Sequence, residues 1–230
     1  MDLPDRYAAC SSSPESHRCA TRYTASRRSR AQGSGNVTFD ELSPPYGTIV
    51  ADPPWSYTQA GVGPADAHYT TMSNASIAAL PVSDLAAENA HLYLWATTPR
   101  LFASDQDDGV GPIEILRAWG FRYVTMLTWV KTGRVGMGFY FRGQTEHILF
   151  GVRGSAPIAS DVRATNVIHS PRVTNKRGMH SRKPGAFGDL VEQVSPGPYL
   201  ELFARSPRLG WDSWGHGYEL GGWHDCPHLR

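Results

Sequence analysis

Few stretches of this 230-residue chain stay apolar for long. The longest hydrophobic runs, such as Leu92–Ala96, are about five residues, against the roughly 20 that a membrane-spanning helix requires, so no membrane span is expected. Cysteine is equally scarce. Cys10, Cys19 and Cys226 are odd in number, lie towards the two ends and form no C-x-x-C pair. Neither a disulfide framework nor a zinc site is expected from them, and the nine histidines show no metal-ligand spacing either. Lysine supplies only three of the 22 cations. Net charge is near zero: 22 Lys and Arg against 21 Asp and Glu give +1, which by itself points to no polyanionic partner. The first residues, Met1-Asp2-Leu3-Pro4-Asp5, do not form a charged-then-apolar leader, and a cytoplasmic protein is expected. No G-x-G-x-x-G and no G-x-x-x-x-G-K-[ST] occurs, which excludes the usual dinucleotide and nucleotide-triphosphate loops.

What is present describes a folded chain. Hydrophobic residues make up 40%, aromatics 11% and charged residues 19%, enough for one sizeable core and too little chain for two catalytic domains. Residues 1–36 stand apart: Ser11-Ser12-Ser13-Pro14 and Arg27-Arg28-Ser29-Arg30 lack apolar periodicity, and the segment holds six Arg against three acids. A disordered basic extension is expected there, ahead of a domain at 37–230.

From Val37 onward, strands and helices alternate. Gly47–Ala51 reads as a buried strand ended by Asp52-Pro53-Pro54, because proline cannot continue a central ladder. Ser73–Glu88 reads as a helix with Ser73 as cap and Pro81 as a break. Strands are expected at His91–Ala96, Tyr123–Val130, His147–Val152 and Tyr199–Phe203, with helices at Pro112–Trp119 and Pro184–Val194. This order predicts an α/β fold with a central, mostly parallel sheet flanked by helices.

Asp52-Pro53-Pro54-Trp55 carries the clearest chemistry. It follows a buried strand, and open α/β sheets bind ligands at the carboxyl ends of their strands. Two prolines stiffen the loop and remove two N–H donors, leaving carbonyls that only accept. Asp52 adds a carboxylate acceptor and Trp55 a flat face. Such a loop suits an exocyclic amino group on a planar base.

With that tetrapeptide, the chain resembles the MT-A70 family of S-adenosylmethionine-dependent adenine-N6 methyltransferases. Further matching segments are Tyr69-Thr70-Thr71-Met72-Ser73, Leu92-Tyr93-Leu94-Trp95, Trp119-Gly120-Phe121, Trp129-Val130-Lys131-Thr132 and Glu146-His147. His180-Ser181-Arg182-Lys183-Pro184, Ser195-Pro196-Gly197, Glu201-Leu202-Phe203-Ala204-Arg205 and Trp211-Asp212-Ser213-Trp214-Gly215 continue the series, over roughly residues 37–219. The resemblance implies a Rossmann-like class I methyltransferase with a circularly rearranged motif order: the D-P-P-W strand first, the cofactor-cradling strand late.

It also implies roles. Asp52, Pro53, Pro54 and Trp55 are catalytic, with Trp55 and Tyr69 sandwiching an adenine that has left its stack. Asp40, Asp52, Lys183, Arg205 and His216 line the cofactor side; Tyr69, Glu146 and Lys183 line the target-base side. One departure stands out: the family usually follows Trp-Gly with Asn and then Glu or Gln, whereas this chain has His216-Gly217-Tyr218-Glu219. The compact chain, without zinc-finger or long helical additions, points to DNA as substrate. RNA adenosine methylation and an inactive nucleic-acid-binding partner are the alternatives, and the intact tetrad argues against the second.

The residues add one more feature. From Val162 to Lys183 there are six cations and no acid, a local +6 hidden by the net charge. Read as a loop, it offers Arg172, Lys176 and Arg177 as phosphate contacts. Asp105-Gln106-Asp107-Asp108 is an acidic loop expected to face away from nucleic acid.

Overall fold

The computed structural model describes residues 39–56, 71–102, 109–133, 140–159, 163–172 and 182–215. Seven strands form one sheet: β1 (Tyr46–Ala51), β2 (Ala86–Ala96), β3 (Arg122–Thr132), β4 (Thr145–Arg153), β5 (Val167–Pro171), β6 (Tyr199–Leu202) and β7 (Trp211–Trp214). Their order across the sheet is β5-β3-β4-β2-β1-β6-β7. β4 runs antiparallel to both its neighbours, β2 and β3. The other pairings, β1 with β2 and β6, β3 with β5, and β6 with β7, are parallel. The expected mostly parallel α/β sheet is therefore observed. Every residue of β1 is buried, as a parallel strand covered on both faces must be.

Helices α1 (Asn74–Ala78), α2 (Val82–Leu85), α3 (Pro112–Ala118) and α4 (Gly185–Val194) cover the sheet. On one face Ile49, Leu92 and Leu94 pack with Ile77, Ile115, Leu116 and Trp119 from α1 and α3. On the other, Val50, Tyr93, Trp95, Trp129, Ile148 and Phe150 pack with Phe187 and Val191 of α4. Side chains alternate between the faces along each strand. Asp52, two residues beyond Val50, therefore belongs to the α4 side, as do Lys131 beyond Trp129 and Glu146 before Ile148. That alternation gathers the charged residues at one end of the α4 core.

Three sequence expectations change. The helix expected over Ser73–Glu88 is two short ones, α1 and α2, and β2 begins at Ala86. Ser73 does cap α1, its hydroxyl accepting from the Ser76 N–H at 3.1 Å, and Pro81 precedes α2. β5 interrupts the basic stretch that was read as a loop, pairing with β3. β7, Trp211–Trp214, is a strand where none was expected. The basic extension 1–36 and the acidic loop at 105–108 lie outside the described residues. No helix of the described residues is long and apolar enough to cross a membrane.

At the end of the sheet opposite the charged cluster, a buried polar network ties β2 to the turn after α4. His91 Nδ1 lies 2.8 Å from Ser195 Oγ, His91 Nε2 lies 2.8 Å from the Ala156 carbonyl, and Tyr93 Oη lies 2.7 Å from Ser195 Oγ. Burial holds the His91 imidazole below its ordinary range. The unfolded chain thus binds a proton that the folded chain resists, so the His91 contribution is intact above about pH 6.5 and is lost as pH falls through the lower folded value. Urea denaturation of the protein and of His91→Gln should show the gap between them narrowing below pH 6.5, by up to about 1.4 kcal/mol per pH unit. A comparison is required because Glu201, pushed up to about 7 by burial and by the Asp52 carboxylate, adds stability as pH falls through the same window.

Candidate active site

The parallel strands deliver their carboxyl ends to one sheet edge, and β1 ends there in Asp52-Pro53-Pro54-Trp55. The loop is held by backbone bonds: the Trp55 N–H donates to the Pro53 carbonyl at 2.9 Å and the Met72 N–H to the Pro54 carbonyl at 2.9 Å. A carbonyl has two lone pairs, so the Pro53 oxygen retains one for a ligand. Trp55 corrects its expectation. It is only 5% exposed and packs in the core on the α1 and α3 side. Its indole N–H donates to the Trp95 carbonyl at 3.1 Å. In this conformation it braces the loop and presents no open stacking face.

Lys183, immediately before the N-terminal residues of α4, reaches the loop. Its ammonium lies 2.8 Å from Asp52 Oδ1 and 3.2 Å from Glu146 Oε2. Glu146, the second residue of β4, holds Lys131 of β3 at 2.5 Å through its other oxygen. The result is a chain of alternating sign, Asp52–Lys183–Glu146–Lys131, built from four separate segments. Side-chain exposures of 11–17% show how little water reaches it. Trp95 supplies an aromatic face 5.0 Å from the Lys183 ammonium, and Trp129 does the same for Lys131 at 5.1 Å.

Electrostatics explain why this arrangement is stable. Burial alone would depress the Lys183 ammonium, and the positive end of a helix also disfavours a cation. The Asp52 and Glu146 carboxylates outweigh burial and hold Lys183 above its ordinary range. For Glu146, burial would raise the carboxyl, but Lys183 and Lys131 hold it below the usual carboxylate range. Each charge is thus desolvated yet doubly or singly compensated, the condition under which a buried ion pair persists.

Of the other residues expected at the site, Arg205 lies in the turn three residues past β6, close enough for its charge to bear on Lys183. Arg172 is exposed just past β5, and its guanidinium donates to the Gly143 carbonyl at 3.5 Å. Asp40 falls in a short 3-10 turn, Phe39–Glu41, and its side chain lies outside what the structure describes. Tyr69, Lys176, Arg177 and His216 also lie outside the described residues. Sequence reasoning missed Lys131, Trp95 and Glu201 as site members. The signal was present in the strand alternation: each sits two residues along from another residue of the α4-side core. Assigning it to the site, however, required the strand order.

Gly215 closes the edge. A Cβ there would lie 2.6 Å from the Ala204 backbone nitrogen, so only glycine lets the end of β7 approach the turn after β6 this closely. Phe203 in that turn has a positive φ of 63°.

Comparison with known proteins finds matches along most of the chain. The MT-A70 family model matches residues 46–217. The chain is 29% identical over 224 residues to the type II methyltransferase M.MunI of a Mycoplasma species, covering 85% of this chain and 89% of that protein. It is 29% identical over 183 residues to the human N(6)-adenine-specific methyltransferase METTL4, covering 74% and 37% respectively. It is 28% identical over 190 residues to the N6-methyladenosine RNA methyltransferase MTA1 of Cryphonectria parasitica, covering 77% and 53%. The chain therefore spans most of the first relative and about a third to a half of the other two.

Proposed function

Because the chain belongs to the MT-A70 family, we propose that its 37–230 domain methylates the N6 amino group of adenine in DNA, with S-adenosylmethionine as donor, in the cytoplasm. The observation that carries this reading is the ionic chain anchoring Asp52 at the mouth of a rigid, acceptor-only loop. DNA is favoured over RNA because the relative matched along most of its length is a type II methyltransferase. The RNA enzyme among the relatives keeps RNA as the second reading.

The donor set fits the cofactor. S-adenosylmethionine carries a carboxylate beside two cationic centres, and this edge offers Lys183 and Arg205 beside Asp52. Asp52, Lys183 and Arg205 would hold it, with Asp40 and His216 on its nucleoside side. When bound, it supplies an electrophilic methyl group.

The protein's own residues then prepare the nucleophile. Adenine N6 is a poor one because its lone pair is delocalised into the ring. The Asp52 carboxylate and the free lone pair of the Pro53 carbonyl accept the two N6–H bonds, favouring a pyramidal nitrogen and stabilising the positive charge that grows there. Lys183 fixes the Asp52 carboxylate in place, and Glu146 fixes Lys183 from behind. The stiff Pro53-Pro54 backbone holds the acceptors in register before the base arrives, so less reorganisation remains for the reaction itself. In this reading Tyr69 is assigned to the base and Arg172, Lys176 and Arg177 to phosphates, while Glu146 serves the base side through Lys183.

The test supplies methyl-labelled S-adenosylmethionine with duplex DNA, single-stranded DNA and RNA, followed by mass spectrometry of the nucleosides. N6-methyldeoxyadenosine is expected. Methylation of RNA alone would replace DNA by the second reading, and cofactor binding without methylation of any substrate would mark the chain as an inactive partner.

A further inference from the structure

The hairpin that joins β3 to β4 leaves the sheet at the same edge as Asp52. Its closing bond is from the Lys131 N–H to the Gln144 carbonyl at 2.8 Å, just outside the Lys131–Glu146 pair. Two aromatic side chains stand on it almost wholly in water: Tyr140 is 96% exposed and Phe141 86% exposed. Tyr140 has a positive φ of 56°, a conformation that non-glycine residues adopt at a cost. Arg142 follows them, exposed, and Arg172 bridges from the end of β5 to the Gly143 carbonyl at 3.5 Å.

Among the described residues leaving the sheet at this edge, the exposed charged side chains are Arg142, Arg172 and Arg182. The carboxylates there, Asp52, Glu146 and Glu201, are turned inward and at least partly buried. Exposed aromatics flanked by arginines form a surface for a polyanion that also carries flat apolar rings. A single nucleic-acid strand meets both requirements, with phosphates for the guanidinium groups and base faces for the rings.

We infer that Phe141, with Tyr140 beside it, stacks on a base next to the target adenine, while Arg142 and Arg172 take the phosphates on either side. The inference rests on the methyltransferase reading and deepens it. An adenine that reaches Asp52 leaves its stack, and a ring on the same sheet edge recovers stacking for the neighbouring base. The ring itself is sequence-tolerant because every base has a π face, so the lip contributes affinity more than recognition.

The test measures anisotropy of a fluorescein-labelled DNA strand, single and duplexed, against the full chain over a range of salt. Base stacking on one aromatic contributes about 1–3 kcal/mol, so Phe141→Ala and Phe141→Leu should each weaken binding roughly 5- to 160-fold, and Phe141→Trp should retain it. The slope of log affinity against log salt should stay unchanged in all three. Arg142→Gln should lower that slope by about one. The residue is exposed, so these variants fold, which circular dichroism checks. Equal affinity of Phe141→Ala and the unaltered protein, with DNA still bound and methylated, overturns the lip and leaves the proposed function standing. A change of sedimentation without a change of DNA affinity makes the lip an interface between copies and overturns it as well. An unaltered protein that binds neither DNA nor RNA overturns both.

Discussion

Asp52→Ala loses methyl transfer by at least about 10²- to 10³-fold in kcat, the scale on which single preorganised electrostatic partners act. The loss falls on kcat because the carboxylate interacts most strongly when charge develops on N6, a feature of the transition state and not of the bound substrate. In the proposed reading nucleic-acid affinity comes from groups other than Asp52, so it should change little. Single-turnover rates at saturating DNA, with anisotropy as the binding control, separate the two. A variant that raises KM while keeping kcat would show that Asp52 only binds. The substitution also frees Lys183 from one of its two carboxylates, at 2.8 Å, while Glu146 remains to hold it. The fold should therefore survive, and a cooperative thermal transition should still be seen.

Lys183→Met has the second large effect, and it reaches both activity and stability. Methionine keeps the apolar stem against Trp95 but removes the ammonium between Asp52 and Glu146. Two largely buried carboxylates then lose the ammonium that joins them, while Lys131 still serves Glu146. Removing one member of a buried ion pair costs about 3–5 kcal/mol, and the low end applies because Lys131 remains. Urea denaturation at pH 7 measures it. The pH dependence follows from Glu146, whose carboxyl is held low in the unaltered protein despite burial, by Lys183 and Lys131. That contribution is present above the ordinary carboxylate value and is lost as pH falls through the depressed one. With Lys183 gone the depression shrinks, so the variant loses less stability on acidification and the gap between the proteins closes below about pH 4.5. A gap that stays constant from pH 7 to pH 3 would show that the ammonium contributes through packing alone. In the same variant, kcat falls because Asp52 has lost the group that orients it.

These two residues differ in how visible they are in the chain itself. Asp52 is legible because its chemistry is local: a buried strand, then two prolines that end it, puts a carboxylate at a strand's carboxyl end wherever that strand sits. Lys183 is legible as a residue at the start of a Pro-led helix, but its partners are not. Glu146 and Lys131 lie on neighbouring antiparallel strands whose register sets Trp129 opposite Glu146, and nothing in either strand's own pattern states that pairing. Trp55 shows the opposite failure. Its tetrapeptide context reads as a stacking face, yet its indole packs into the core and bonds the Trp95 carbonyl, because the next strand offers an acceptor within reach. β5 and β7 escaped notice because each is four or five residues long and draws its stability from an edge pairing with a distant strand, where local periodicity carries almost no information.

The sequence alone therefore determined the scarcity of long apolar runs and of paired cysteines, the alternation of strands and helices, and an acceptor loop after the first strand. Periodicity and proline act over a few residues, so a linear reading captures them. The tertiary structure decided which charges meet. It inserted β4 antiparallel between β3 and β2, turned Glu146 and Lys131 to the face where α4 presents Lys183, and so put Lys131 and Lys183 in one buried ionic chain. Desolvation makes that chain matter: the same four side chains in water would attract one another weakly, and only burial at the end of the α4-side core makes their order and spacing consequential.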